Sequence, residues 1–229
     1  METRPKKELG QHWLNDPASL RAVCQAARVA KTDTVLEIGP GTGALTVELV
    51  KRAAAVVAVE LDGQLAVALR AKIPAPNLKV IEADILRFNL GSLPPGYKLV
   101  ANVPYYLTSR LLRVLYQSAN PPAAAALLLQ KEVAERLAAR PGSMSLLSVS
   151  VQLKNEVRLG RVIPAALFWP RPKVDSRVVG LKLRPKPLFA NLDEKVFFRL
   201  ARAGFSSRRK KLRGSLSAGL AISKSEADE

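Results

Sequence analysis

Residues Thr34-Val35-Leu36-Glu37-Ile38 run directly into Gly39-Pro40-Gly41-Thr42-Gly43, and a helical stretch, Ala44 to Arg52, follows at once. A short apolar run, a glycine-rich turn and a helix in immediate succession constrain the fold more than any other stretch. Glycines open backbone conformations closed to other residues and let a ligand approach the main chain. The same alternation continues. Val56 to Glu60 reads as a second strand and Asp62 to Lys72 as a helix, with Leu78 to Glu82 as a third strand ending at Ala83-Asp84. Tyr97 to Ala101 reads as a fourth strand and Leu107 to Gln117 as a helix; Ala123 to Gln130 and Lys131 to Ala139 complete another pair. Strands alternating with helices at this spacing predict an α/β fold with a mostly parallel, doubly wound sheet.

Ser145 to Leu153 fits either element, since polar and apolar residues alternate while Pro141-Gly142-Ser143 reads as a helix start. Val157 to Ile163 and Ser176 to Leu183 read as a terminal hairpin pair of strands, joined by the proline-rich Pro164 to Pro172. Arg184-Pro185-Lys186-Pro187 breaks any periodic element. It divides the chain into residues 1–184 and a small helical segment, 185–229, with helices over Asp193 to Ala203 and Ser207 to Ala218.

Charge bears on partners. The net charge is +17. Residues 1–150 carry 18 basic and 12 acidic residues, whereas 151–229 carry 18 and 7. So steep an excess in the last third suits a polyphosphate partner, because each neutralised phosphate releases counterions. The cluster Arg208-Arg209-Lys210-Lys211 with Arg213 reads as a helical phosphate-tracking surface, extended by Arg199 and Arg202. His12 is the single histidine and Cys24 the single cysteine. A histidine metal cluster or a Ser/His/Asp triad is thereby excluded or nearly so, and no metal is expected. One thiol allows no internal disulfide, which fits a reducing compartment. The N-terminus has no signal-peptide core, and no run approaches a membrane span. A cytoplasmic protein with no membrane partner is the expectation.

Several polar groups collect at strand carboxyl ends, where open α/β sheets bind ligands. Glu60 ends the second strand, where a carboxylate can accept from both ribose hydroxyls, and Asp84 ends the third, within reach of an adenine amino group. Glu37 precedes the glycine turn, and the turn lacks G-x-G-x-x-G spacing. Three acidic strand ends around such a turn suit a phosphate-free nucleoside carrying a sulfonium, which describes S-adenosylmethionine. Asn102-Val103-Pro104-Tyr105 follows the fourth strand. It combines an amide acceptor, a rigid turn and a ring on which a base can stack.

These motifs, with Gly10-Gln11-His12-Trp13-Leu14-Asn15-Asp16, Phe168-Trp169-Pro170-Arg171-Pro172-Lys173-Val174-Asp175-Ser176 and Phe205 to Arg213, occur in an order that resembles the ribosomal RNA small-subunit adenine N6,N6-dimethyltransferases, the KsgA/RsmA group. The resemblance runs from about Lys6 to Leu220. It implies a Rossmann-like class I methyltransferase domain and a small helical C-terminal domain. It implies dimethylation at N6 of two adjacent adenines in a hairpin near the 3′ end of 16S rRNA, by a monomer acting on an immature 30S particle. Carried over by position, Gln11, His12, Leu14, Gly39, Gly41, Glu60, Asp84 and Asn102 contact the cofactor; Asn102, Pro104, Tyr105 and Phe168 handle the adenine. The chain ends soon after Leu220, where members continue through more helix, so a short or truncated C-terminal domain is expected. Two other readings share these features: a 23S rRNA adenine methylase of the macrolide-resistance type, and a non-catalytic RNA-binding assembly factor. Intact Glu60, Asp84 and Asn102 to Tyr105 weigh against the latter, because a pure binder need not keep them.

Overall fold

A computed structural model describes residues 5–6, 9–186, 188–189, 191–207 and 209–228. The strands are β1 (Trp13–Leu14), β2 (Thr34–Ile38), β3 (Ala55–Glu60), β4 (Leu78–Glu82), β5 (Lys98–Asn102), β6 (Ala124–Gln130), β7 (Asn155–Ile163), β8 (Phe168–Trp169) and β9 (Ser176–Leu183). The helices are α1 (Pro17–Ala26), α2 (Ala44–Val50), α3 (Gly63–Lys72), α4 (Thr108–Gln117), α5 (Lys131–Leu137), α6 (Leu146–Lys154), α7 (Glu194–Gly204) and α8 (Leu212–Leu220).

Seven strands form one sheet in the order β4-β3-β2-β5-β6-β9-β7. β2 to β6 are mutually parallel, and β9 runs antiparallel to both β6 and β7. The sheet is the Rossmann-like, doubly wound arrangement that the sequence predicts, mixed rather than wholly parallel, with a C-terminal helical extension. Alternation along the central strands explains why both faces are covered. Leu36, Leu99 and Leu127 point into one apolar layer, with Leu111, Leu112 and Leu115 of α4. Their neighbours Val35, Val100 and Leu128 point into the opposite layer, with Val23 and Cys24 of α1 and Leu45 and Leu49 of α2. A parallel strand buried on both faces must be apolar almost throughout. The order reverses between β2 and β5, which opens a crevice at the carboxyl edge.

The ambiguous stretch resolves as helix α6. Ser145 accepts from Ser148 N while the Ser148 hydroxyl accepts from Ser145 N. This reciprocal cap satisfies two otherwise orphaned donors and outweighs the strand-like alternation that follows. The terminal hairpin forms as expected, β7 against β9. Asp193 caps α7, accepting from Lys195 N and Val196 N. The last helix differs from expectation. It starts at Leu212, so Arg209 and Lys210 lie in the turn before it and Lys211 at its cap position, while Arg208 falls outside the described residues. A run of cations opposes the positive end of a helix dipole, and no side chain there can cap it. α7 and α8 pack closely: a Cβ placed on Gly219 would lie 2.7 Å from Ala203 Cα.

Beneath the glycine turn, Glu37 is 1% exposed, and neither its carboxylate oxygens nor the Thr46 hydroxyl beside it makes a hydrogen bond. Burial raises its pKa from 4.5 to about 8, and the Glu60 charge adds to the rise. The folded chain therefore holds a proton there that the unfolded chain releases above its ordinary carboxylate pKa. Stability from this group falls as pH rises from about 4.5 to about 8. Glu37→Gln is expected to flatten that part of the stability curve and to gain on the wild type by on the order of a few kcal/mol at pH 9 relative to pH 5. Urea denaturation at both values measures the difference.

Candidate active site

One cavity sits over the crevice, and the ends of four parallel strands contribute to it. β2 supplies Ile38 with Gly39 and Gly41, β3 supplies Val59 and Glu60, the turn after β4 supplies Ala83 and Asp84, and β5 supplies Asn102. Gly39 adopts φ +63, and a Cβ built on it would meet nothing within 4 Å. The glycine turn thus exposes bare backbone to the cavity.

The Glu60 carboxylate is 5% exposed, and its Oε1 accepts from Asp62 N and its Oε2 from Gly41 N, each at 3.0 Å. Burial raises its pKa, the two backbone donors oppose the rise, and the Asp62 charge supports it. The group is oriented by backbone alone, with remaining lone pairs for a ligand. Asp84 Oδ1 accepts from Leu86 N at 2.9 Å, and its side chain lines the cavity beside Ile85.

The other wall is an N-terminal strap, Leu9 to Trp13, which the sequence marks only through the motif Gly10 to Asp16. Lys6 Nζ pairs with Asp62 Oδ2 at 2.8 Å, and Lys6 N donates to Gln11 Oε1 at 2.8 Å. β1 pairs antiparallel with β8, matching Trp13 to Trp169 and Leu14 to Phe168, with the indole rings 5.5 Å apart. His12 Nδ1 lies 2.6 Å from Pro170 O. A carbonyl only accepts, so Nδ1 carries the proton in this contact. The imidazole stacks on Tyr105 at 5.7 Å between centroids, 27° from parallel. The His12 carbonyl in turn accepts from Asn102 Nδ2 at 2.9 Å. Nδ2 is thus anchored on the strap, and Oδ1 is the acceptor the side chain has left to offer.

Tyr105 is half-buried; its hydroxyl meets Ser176 Oγ of β9 at 2.9 Å, and burial raises its pKa. Pro104 O accepts from Leu107 N at 2.9 Å, which spends one of its two lone pairs on the turn into α4. The cavity therefore brings together Gln11, His12, Gly39, Gly41, Glu60, Asp84, Asn102, Pro104 and Tyr105.

Two expected residues stay outside it. Phe168 is 5% exposed and Leu14 4%, and both belong to the core layer with Ile163 and Val178. Strand pairing is the cause. Directly opposed residues share a face, so Leu14 and Phe168 turn inward together and Trp13 and Trp169 take the other side. Arg199, Arg202, Arg209, Lys210, Lys211 and Arg213 are exposed on the helical extension, and Arg213 pairs with Asp228 at 2.9 Å. Among the cavity-lining residues that the sequence reading passed over as site residues are Trp13, Tyr106 and Arg110. For the last two a signal existed, since both follow Asn102 to Tyr105 at helical spacing. Among the described residues no cluster of His, Cys, Asp and Glu could hold a metal ion.

A family model described as ribosomal RNA adenine dimethylase matches residues 2–227. The chain belongs to this family. It is similar to ribosomal RNA small subunit methyltransferase A of Dehalococcoides mccartyi, 44% identical over 226 residues that cover 96% of this chain and 77% of the relative. The like-named protein of Moorella thermoacetica is 40% identical, covering 93% and 78%. Among solved structures, a dimethyladenosine transferase from Plasmodium falciparum superposes with TM-score 0.78 at 32% identity, covering 91% and 76%. The 23S rRNA methyltransferase ErmE does so with TM-score 0.77 at 29% identity, covering 90% and 84%.

The family member is an S-adenosylmethionine-dependent rRNA methyltransferase. Its site fits that cofactor: bare glycine backbone, two carboxylates for a cationic nucleoside and apolar walls from Ile38, Val59 and Ile85. Glu60→Ala is expected to weaken cofactor binding about tenfold or more, because hydrogen bonds to charged groups contribute roughly 1.5–3 kcal/mol. Calorimetric titration with S-adenosylmethionine, beside a circular dichroism check of the fold, reads this directly; wild-type affinity would remove Glu60 from the cofactor site.

Proposed function

We propose that this protein transfers methyl groups to N6 of two adjacent adenines in a hairpin near the 3′ end of 16S rRNA, giving N6,N6-dimethyladenosine as the 30S subunit matures. The coarser statement, methylation of rRNA adenine at N6, follows from the family. The single observation that carries the finer chemistry is Asn102, which lines the cavity with Nδ2 donating to His12 O and thereby leaves Oδ1 as the acceptor it can offer.

When bound, S-adenosylmethionine supplies a methyl group already activated on a sulfonium. The chain's part is positioning. The target adenine leaves its stack to enter the cavity. It lies on the Tyr105 face opposite His12, with the ring fixed from behind by His12 and at its hydroxyl by Ser176. Asn102 Oδ1 and the remaining lone pair of Pro104 O accept the two N6 hydrogens. Those acceptors draw the nitrogen away from planarity and free its lone pair for the methyl carbon. The new N–C bond forms as the C–S bond breaks, and the surplus N6 proton leaves to water. Glu60 holds the ribose hydroxyls and Asp84 the adenine amino group of the cofactor, while Gln11, His12, Gly39 and Gly41 complete its wall.

Residues 1–184 form the methyltransferase domain and 185–229 a small basic helical domain that docks on rRNA. Arg199, Arg202, Arg208, Arg209, Lys210, Lys211 and Arg213 supply the phosphate contacts there. The protein acts as a cytoplasmic monomer on an immature 30S particle. No described helix is long and apolar enough to cross a membrane. A 23S target is the second reading, favoured by the likeness to ErmE; the small-subunit relatives at 44% identity favour the first.

Labelled methyl transfer to 30S particles lacking the modification, with nucleosides identified and mapped, tests the reading. Dimethyladenosine at two adjacent 16S positions is the expected product; label confined to 23S rRNA would replace the reading with the second one. In the same assay Asn102→Ala is expected to slow transfer by on the order of a hundredfold, the scale of losing one preorganised group at the reacting centre. Its RNA affinity should stay at wild type, because phosphates supply most of that affinity.

A further inference from the structure

Tyr106 is 54% exposed at the cavity rim, yet its ring is not free. It lies against the backbone of Gly10, where a built Cβ would fall 3.3 Å from both ring Cδ1 and Cε1. Gly10 also holds φ +57, so a side chain there would be strained as well as crowded. The strap thus gives way to an aromatic ring that still faces solvent. Arg110 sits one helical turn on, in the first turn of α4, exposed and lining the same cavity. A cation in the first turn opposes the helix dipole. Among the described residues Arg110 forms no ion pair, unlike Lys6, Lys98 or Arg177. The local structure therefore leaves the guanidinium without an ion pair and half of the ring in solvent, and a phosphate beside a flat base would suit both. The cofactor's nucleoside carries no phosphate; the RNA backbone does.

We propose that Tyr106 and Arg110 seat the nucleotide adjacent to the target adenine, its base stacked on the Tyr106 ring and its phosphate paired with Arg110. The proposal rests on the adenine-N6 reading above and specifies the substrate end of that site. With two adjacent targets, the seated base is the second adenine of the pair. The seat holds one adenine at the rim while the other occupies the cavity, so that substrate binding spans both targets.

The test uses 30S particles reconstituted with 16S rRNA whose synthetic 3′ segment carries either both adenines or one adenine and an abasic residue, in each order. Stacking is worth about 1–3 kcal/mol per base, so wild-type kcat/KM is expected to fall about tenfold or more on one of the two abasic substrates. Tyr106→Ala should lose a similar factor on the intact particle and lose little further on that abasic one, while Tyr106→Phe stays near wild type. Arg110→Gln should lower the log–log salt slope of particle binding by just under one. S-adenosylmethionine affinity should hold in all three variants. Indifference of the wild type to both abasic substrates would overturn the seat, as would equal abasic penalties in wild type and Tyr106→Ala. Loss of cofactor affinity in the variants would overturn it too, by placing the ring and the guanidinium on the cofactor. Absence of N6 methylation by the wild type on the intact particle would instead bring down the underlying reading, and the seat with it.

Discussion

The hydrogen bond from Asn102 Nδ2 to the His12 carbonyl, 2.9 Å long, is the contact on which the site depends. It spans 90 residues of sequence and joins the carboxyl end of β5 to the N-terminal strap. An amide side chain offers a donor on one edge and an acceptor on the other. Fixing the donor fixes which edge is left to accept. The strap that supplies the carbonyl is held at several points: Lys6 on Asp62, β1 on β8, and His12 on both Pro170 O and the Tyr105 ring. Each contact alone contributes only about a kilocalorie per mole. Together they leave the His12 carbonyl one position.

The electrostatics divide in space. Carboxylates line the cavity at Glu60 and Asp84, suited to a cationic nucleoside, while positive charge collects on the helical extension and, within the cavity lining, at Arg110. Burial sharpens the inner part. Glu60 is oriented by two backbone donors and held partly desolvated, and polar contacts strengthen where water is excluded. Beneath it Glu37 holds its proton at neutral pH, so the charge facing the cavity there is that of Glu60, with no second anion competing under the glycine turn.

The alternating strands, the glycine turn, Glu60, Asp84 and Asn102 were legible because local pattern encodes them: apolar runs, a breaker, then a polar residue at the strand end. The strap entered only through the family resemblance, which placed Gln11 and His12 at the cofactor, and its clasp was not legible at all. Trp13 meets Trp169, and His12 meets Pro170 158 residues away, and no periodicity reports such a pairing. The same clasp explains Phe168, which reads as a free aromatic in a proline-rich loop until its pairing with Leu14 turns it into the core. At the other end, the basic run before Leu212 reads as helix by composition, yet helix polarity keeps it in the turn. Ser145 to Leu153 shows the converse, a strand-like pattern overruled by a reciprocal serine cap.

In the proposed mechanism His12 O needs a donor from residue 102 so that an acceptor is left for the reacting nitrogen. The most direct measurement is the single-turnover methyl-transfer rate of Asn102→Asp across pH, at saturating cofactor and particle. An ionised aspartate has no donor for His12 O and sets oxygen against oxygen. A protonated one restores the donor and leaves its second oxygen for the cavity. The rate is therefore predicted to be low at pH 8 and to climb toward wild type as pH falls through the aspartate's pKa. A variant as fast as wild type at pH 8, or equally slow at every pH, would contradict the orienting role of the strap.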